Sequence, residues 1–451
     1  MSPGITRPSA LGAADLSLGE FIDSRPVGRF HYVVLALSGS VMFLDGFDTQ
    51  AISFAAPVIA REWGIPVASL GPILSAAIVG LMVGYLVLSP LANRVGHRRL
   101  VVCCTALFGV LSLLTAAASE PAHLIGLRCL TGAGLGAVIP SLVSLTSEYA
   151  PKRRRSSFVM FIYCWLALGF VAAGLVSGLV IPVLGWRMMF VIGGVVPLLL
   201  LVFLVKSLPE SPRFLLSRPR GIERTRSLLH LLDPMSGSQV QGLILTPPEE
   251  GPKKRPSRVA DLFSRGWLGS TVLLWVAFAA NLAAFYAIQS WLPTIVGSFG
   301  QPQAIVIAAT VLTTIGGIVA ATVIGPCMDR ISPFRTLGFV YLMGALFVAV
   351  LGLVIAGGPT LLLIVAFLSG ACVTGGQMSV TALASLLYPP AMRSTGVGWA
   401  LGVGRLGGIA GPLLVGTALG QGVAAREVFF AIALVLVLAG TTVFRIGRIH
   451  R

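Results

Sequence analysis

Two short polar stretches decide the fold: Ser89-Pro90-Leu91-Ala92-Asn93-Arg94-Val95-Gly96-His97-Arg98-Arg99, and Gly325-Pro326-Cys327-Met328-Asp329-Arg330. Each interrupts long apolar sequence, and each sets a short polar residue beside an arginine. Asn93-Arg94 and Asp329-Arg330 lie 236 residues apart, as do Arg99 and Arg335, and Pro57 and Pro293. Tyr149, Pro151 and Arg154 match Tyr388, Pro390 and Arg393 at an offset of 239. The chain therefore reads as two copies of one unit. Between them runs the longest polar stretch, 207–266. In a membrane, such parallel copies form two bundles about an axis along the membrane normal, with a cavity between them.

Composition fixes the solvent. Of 451 residues, 56% are hydrophobic and only 11% charged, against about 25% charged in a soluble globular protein. The mean hydropathy is +0.92. Disorder and a disulfide-stapled secreted domain are excluded by the same figures. At roughly 20 residues per span, twelve helices are expected, near 31–58, 69–91, 99–119, 122–147, 157–182, 187–206, 267–294, 303–325, 335–357, 360–387, 395–419 and 427–446. The expected organisation is a segment 1–30, a six-helix bundle 31–206, a linker 207–266 with amphipathic helices, a second bundle 267–446 and a tail 447–451. The fold class is an all-α membrane protein of two pseudo-symmetric bundles.

The net charge of +16 is a matter of topology. Of 32 Lys and Arg, 27 fall with the termini and the loops on their side; Arg61, Arg187 and Arg426 lie on the other side, and Arg128 and Arg405 within spans. By the positive-inside asymmetry both termini are cytoplasmic, so nucleic acid is not an expected partner. Residues 1–29 lack the apolar core of a cleavable signal. The six cysteines lie in or beside apolar spans with no C-x-x-C pair, which points to packing. No metal-ligand cluster or nucleophile–base pair is visible; neither a metal, a cofactor nor an enzyme is expected.

Charges inside the bilayer are costly, so intramembrane ionisable residues are functional candidates. There are four: Asp45, Asp48, Arg128 and Arg405. Asp45 and Asp48 share a helix face in Leu44-Asp45-Gly46-Phe47-Asp48. Arg128, entering from the far side, is expected at the depth of Asp45. The expected pair is thus Arg128 with Asp45, leaving Asp48 less compensated and able to carry a proton. The competing reading is a fixed ion pair. Arg405, in Gly402-Val403-Gly404-Arg405-Leu406-Gly407-Gly408, falls near the midplane with no acid in any second-half span. Its planar fork suits a carboxylate; the competing reading bonds it to backbone carbonyls or to an acid across the cavity. Asn281, Tyr286, Gln289, Gln377 and Trp399, with Tyr163, Trp165 and Trp291, are candidates for the cavity wall.

These residues carry a resemblance to the major facilitator superfamily over essentially the whole chain. The stretch from Ser89 to Arg99 is similar to its loop signature, Gly325–Arg330 to the echo of that loop, and Arg128-Cys129-Leu130-Thr131-Gly132 to its fourth-helix arginine motif. Within it, Asp45-Gly46-Phe47-Asp48, Phe54-Ala55-Ala56-Pro57, Ser147-Glu148-Tyr149, Trp291-Leu292-Pro293 and Gly396-Val397-Gly398-Trp399 resemble the aromatic acid:H⁺ symporters. The resemblance implies import of small aromatic carboxylates of the benzoate and hydroxybenzoate type together with protons. It implies coupling through Asp45, Asp48 and Arg128, and carboxylate recognition by Arg405. The setting implied is a bacterial inner membrane, and the expected state a monomer. Alternatives in the same superfamily are a proton-driven exporter and a sugar or other organic-anion porter. Asn93, Arg94, Glu148, Arg153, Asp329 and Arg330 are assigned to a gating latch. Asn93 stands where the signature has aspartate and brings no charge to a facing helix dipole, so a weakened latch and a more populated inward-open state are expected.

Overall fold

The computed structural model describes residues 18–218, 221–232, 259–264, 266–389 and 392–449. Among these there is no strand. Twelve helices are long and apolar enough to cross a membrane: α1 (Arg29–Trp63), α2 (Leu70–Val83, prolonged by Gly84–Leu88), α3 (His97–Ala116), α4 (Pro121–Tyr149), α5 (Arg155–Leu184), α6 (Arg187–Ser207), α7 (Leu268–Ser298), α8 (Gln303–Arg330), α9 (Pro333–Val354), α10 (Pro359–Leu387), α11 (Arg393–Gly420) and α12 (Ala425–Ile449). Pro121 and Pro359 open α4 and α10 where a backbone N–H would have no partner. Short helices Pro212–Leu216 and Gly221–Leu232 occupy part of the linker expected to be amphipathic. The expected N-terminal stretch 1–17 and the Pro/Gly-rich stretch 233–258 lie outside the described residues.

The two halves repeat one packing plan. In the first, α1 pairs with α5, α2 with α4 and α3 with α6; in the second, α7 pairs with α11, α8 with α10 and α9 with α12. Glycines make these pairs close. Gly46 and Gly169 bring α1 and α5 together, and Gly407 and Gly411 bring α11 onto α7; a methyl group at any of them would overlap a facing carbonyl. Lipid tails give no hydrophobic drive for helix association, so such van der Waals contact between backbones does much of the work. The central glycine of Asp45-Gly46-Phe47-Asp48 thus has a packing role, fixing how the two aspartates face the interior.

An even number of spans puts both termini on one face, here called the termini face. The halves meet on the opposite, far face. There α2 runs antiparallel to α11, with Ala68 on Gly420, Gly71 on Gly416, Ile78 on Gly408, and the Ser75 hydroxyl donating to the Ile409 carbonyl at 3.1 Å. The second seam sets Gly178 against Ile307 and Gly174 against Val311, between α5 and α8. Gln50 on α1 donates to the Gln289 carbonyl on α7 at 3.2 Å. On the termini side no hydrogen bond or ion pair among the described residues joins the halves. Gly325, Gly398 and Gly402 face open space there, and Met160 is 67% exposed. The cavity between the halves is closed on the far face and open on the termini face.

Candidate functional site

The first ion pair differs from the sequence expectation. Arg128 Nη1 meets Asp48 Oδ2 at 2.7 Å, and Nη2 donates to the Asp48 carbonyl at 3.0 Å. The side chains are 0% and 1% exposed, and the Phe190 ring lies 5.7 Å from the guanidinium. Asp45, the expected partner, has only the Thr49 hydroxyl, at 3.5 Å. The reason is helix length. α1 runs five residues past the expected end at 58, about 7 Å more, so both aspartates sit deeper below the far face. Arg128 descends from that face and meets the nearer acid. Asp48, one turn closer, wins.

Asp45 is left buried, 4% exposed, without an ion-pair partner among the described residues. The charges in its field are Asp48, Arg405 and Arg128. Arg405 therefore reaches it electrostatically across the boundary between halves.

Arg405 itself bonds to a neutral group. Its Nη1 donates to the Tyr286 hydroxyl at 2.9 Å, and its guanidinium carbon lies 5.0 Å from the centre of the Tyr85 ring. A guanidinium has five N–H donors, and no protein carboxylate among the described residues ion-pairs with this one. Tyr85 and Tyr163 also lie within electrostatic reach of both Arg405 and Asp45. Five side chains from α1, α2, α5, α7 and α11 thus converge: Asp45, Tyr85, Tyr163, Tyr286 and Arg405. Tyr163 is 41% exposed and Arg405 half-buried, so the cluster has an open side. The sequence singled out all but Tyr85. A tyrosine directly after a glycine in an apolar span was the available signal, and Tyr85 stands within the π-helical stretch Gly84–Leu88, a local widening common at functional sites.

The remaining cavity candidates separate. Asn281, fully buried, donates its amide to the Gln377 side-chain oxygen, and its own Oδ1 has no partner. Gln289 is held by Thr314 at 3.2 Å and Thr313 at 3.5 Å, both on α8. Trp399 stacks on Trp275, with ring centres 5.9 Å apart, and Trp275 meets Phe263 edge-on. Trp399 is six residues before Arg405, about 9 Å along the helix and a third of a turn around it, so it stands apart from the cluster. A groove of about 550 Å³ at the far end of the α5–α8 seam, lined by Leu179, Ile307, Val311 and Gln303 among others, holds none of these residues.

The expected latch residues lie apart in this arrangement. Asn93, Arg94, Asp329 and Arg330 are exposed, and no ion pair among the described residues links them or Arg153 across the halves. Glu148 accepts from Ser144 at 3.0 Å and from Ser211 at 2.5 Å. Glu210 accepts from the backbone N–H of Arg98 at 3.0 Å and of Ser211 at 2.9 Å. Gly96, at φ +100, leaves the room that the Glu210 carboxylate fills. The start of the linker is thereby fastened to the first half. Glu210 and Ser211, in the linker stretch Pro209-Glu210-Ser211-Pro212-Arg213, were not among the residues the sequence assigned to the latch.

A sequence profile of the Major Facilitator Superfamily matches residues 39–412 and 274–449. The chain is 37% identical over 442 residues to the 4-hydroxybenzoate transporter PcaK of Pseudomonas aeruginosa, covering 98% of each chain. It is 34% identical over 421 residues to the gallate transporter of Pseudomonas putida, covering 93% of each. Its fold is similar to the inward open conformation of the xylose transporter XylE from E. coli, with a TM-score of 0.73 at 16% identity, covering 92% of this chain and 96% of that one.

Proposed function

This chain belongs to the Major Facilitator Superfamily, and we propose that it is a proton-coupled importer of small aromatic carboxylates. Its relatives' names supply the substrate class: 4-hydroxybenzoate and gallate for two of them. The single observation that carries the reading is Arg405, an arginine at the cavity with a tyrosine hydroxyl as its bonded partner and no carboxylate paired with it among the described residues. A substrate carboxylate can take the place that no protein acid occupies, with two parallel N–H···O bonds.

The basic termini face is the cytoplasmic one in this reading, which makes the described arrangement inward-open. In the outward-open form substrate enters from outside, and its carboxylate engages Arg405. Asp45 then loses the cation that reaches it across the halves. An uncompensated carboxylate is expensive to enclose in an apolar setting, so Asp45 crosses as the neutral acid. Asp48 stays bound to Arg128 throughout and holds α1 against α4. Once the inner side opens, substrate leaves, Arg405 again faces Asp45, and the proton departs. Occupied crossings therefore carry a proton with each anion. Tyr163 and Tyr286 supply faces on which an aromatic ring packs.

Uptake of labelled benzoate, 4-hydroxybenzoate, gentisate, phenylpropionate, muconate and glucose tests this, with and without an inward proton gradient. Gradient-dependent accumulation of one or more aromatic acids is expected. Arg405→Ala should lose substrate binding, and Asp45→Asn should lose accumulation while retaining exchange. Glucose uptake, or aromatic-acid flux driven outward by the same gradient, would overturn the proposal.

A further inference from the structure

We propose that Tyr85 is a positioning residue that presents Arg405 to an anion while the termini face is open and the far face closed; this rests on the substrate reading above. Two aromatic side chains contact Arg405 in different planes. Tyr286 pins one edge of the guanidinium through Nη1, 2.9 Å away. Tyr85 stands 5.0 Å off the guanidinium carbon, measured to its ring centre, an arrangement that attracts a cation to the ring's negative face. With one edge pinned and a ring against it, the guanidinium loses its freedom to turn. Its remaining donors are left for a planar carboxylate.

The two tyrosines differ in one respect. Tyr286 shares a half with Arg405, whereas Tyr85 belongs to the other. Tyr85 is also the last contact of a seam, following Ala68 on Gly420, Gly71 on Gly416, Ser75 on Ile409 and Ile78 on Gly408. Beyond it towards the termini face the helices part, and Gly402 and Gly398 meet nothing. The Tyr85–Arg405 contact therefore depends on how α2 and α11 are paired. When the halves re-pair to open the far face, the seam that carries Tyr85 to Arg405 opens with them. Anion affinity then differs between the two sides of the membrane, and Tyr85 sets part of the difference.

The test uses 4-hydroxybenzoate with membrane vesicles of both orientations, and the variants Tyr85→Leu, Tyr85→Met and Tyr85→Phe. Leu or Met removes the aromatic face, and Phe keeps it. For substrate offered from the termini side, Tyr85→Leu should raise KM about fivefold or more, the scale of a lost cation–aromatic contact, with Tyr85→Phe within about twofold of the parent. From the far side KM should stay within about twofold for all three. A merely structural role would lower the amount of inserted protein and kcat and leave KM alone. If Tyr85→Leu fails to accumulate, Tyr85→Met, an unbranched chain of similar reach, carries the same expectation. An unchanged KM from the termini side, or an equal rise from both sides, overturns the assignment. Absence of saturable 4-hydroxybenzoate transport in the parent protein would instead sink the substrate reading on which it rests.

Discussion

Replacing Asp48 should destabilise the protein far more than replacing Asp45, although the two carboxylates stand three residues apart on one helix. Asp48→Asn keeps the shape and removes the charge from a bond of 2.7 Å between side chains 0% and 1% exposed. Arg128 is then left buried beside a neutral amide and the residue-48 carbonyl, 3.0 Å away, with no counter-charge at that position. Breaking a buried pair from one side costs about 3–5 kcal/mol, because the remaining charge has no compensation. Asp45→Asn disturbs one bond at 3.5 Å to Thr49, worth about 0.5–1.5 kcal/mol. The stability gap between the variants should thus be about 1.5–4.5 kcal/mol, roughly tenfold or more in the folded ratio. Equilibrium unfolding of the purified protein in mixed micelles measures it. Arg128→Met should fall with Asp48→Asn, and the double variant Asp48→Asn/Arg128→Met should recover much of the loss, since a neutral pair leaves no orphaned charge. Asp48→Asn no less stable than Asp45→Asn would refute the division of roles.

Three further outcomes concern the seams and the loop that carries Asn93. Gly416→Val sets a side chain where a Cβ would lie only 2.9 Å from the Gly71 Cα; overpacking of this kind costs about 1–3 kcal/mol, so far-side accessibility should rise and transport slow, as reporter-cysteine labelling would record. The α5–α8 register, Gly174 to Val311 and Gly178 to Ile307, extrapolates to Met160 opposite Gly325, and the Gly71–Gly416 register to Ser89 opposite Gly398. Cysteine pairs Met160→Cys/Gly325→Cys and Ser89→Cys/Gly398→Cys, in a background without native cysteines, should therefore cross-link and arrest transport with the far face open; failure of both to form would contradict an antiparallel closure in that register. Asn93→Asp restores a carboxylate to the exposed loop and should shift accessibility from the termini side to the far side; an unchanged ratio in the same labelling assay would remove Asn93 from the latch.

Much of this architecture was legible because lipid imposes simple rules. Span number follows from apolar length, and the repeat from Asn93-Arg94 and Asp329-Arg330. Arg405 could be singled out because no acid accompanies it in the second-half spans. What sequence could not settle was depth. A shift of a few residues in the end of α1 decides whether Arg128 meets Asp45 or Asp48, and apolar length alone does not fix a helix end when α1 carries on through Arg61 and Glu62 to Gly64. Tyr85 was missed for a related reason: its importance comes from α11, more than 300 residues away in the chain, and from the π-helical turn that carries it. Trp399 looked like a cavity residue by composition, and its stack on Trp275 depends on a rotation about α11 that no local pattern encodes. The bracing of Glu148 through Ser211, and of Glu210 beneath Gly96, likewise arises from the linker folding back on the first half.

The central claim is that Asp45 gives up its distant cation to the substrate and takes a proton in exchange. Proteoliposomes loaded with a pH indicator test it directly, by adding 4-hydroxybenzoate outside with no imposed gradient. The parent protein should acidify the lumen as substrate enters, and Asp45→Asn should exchange labelled substrate with no lumenal pH change. Substrate-driven acidification of normal size in Asp45→Asn would contradict the account.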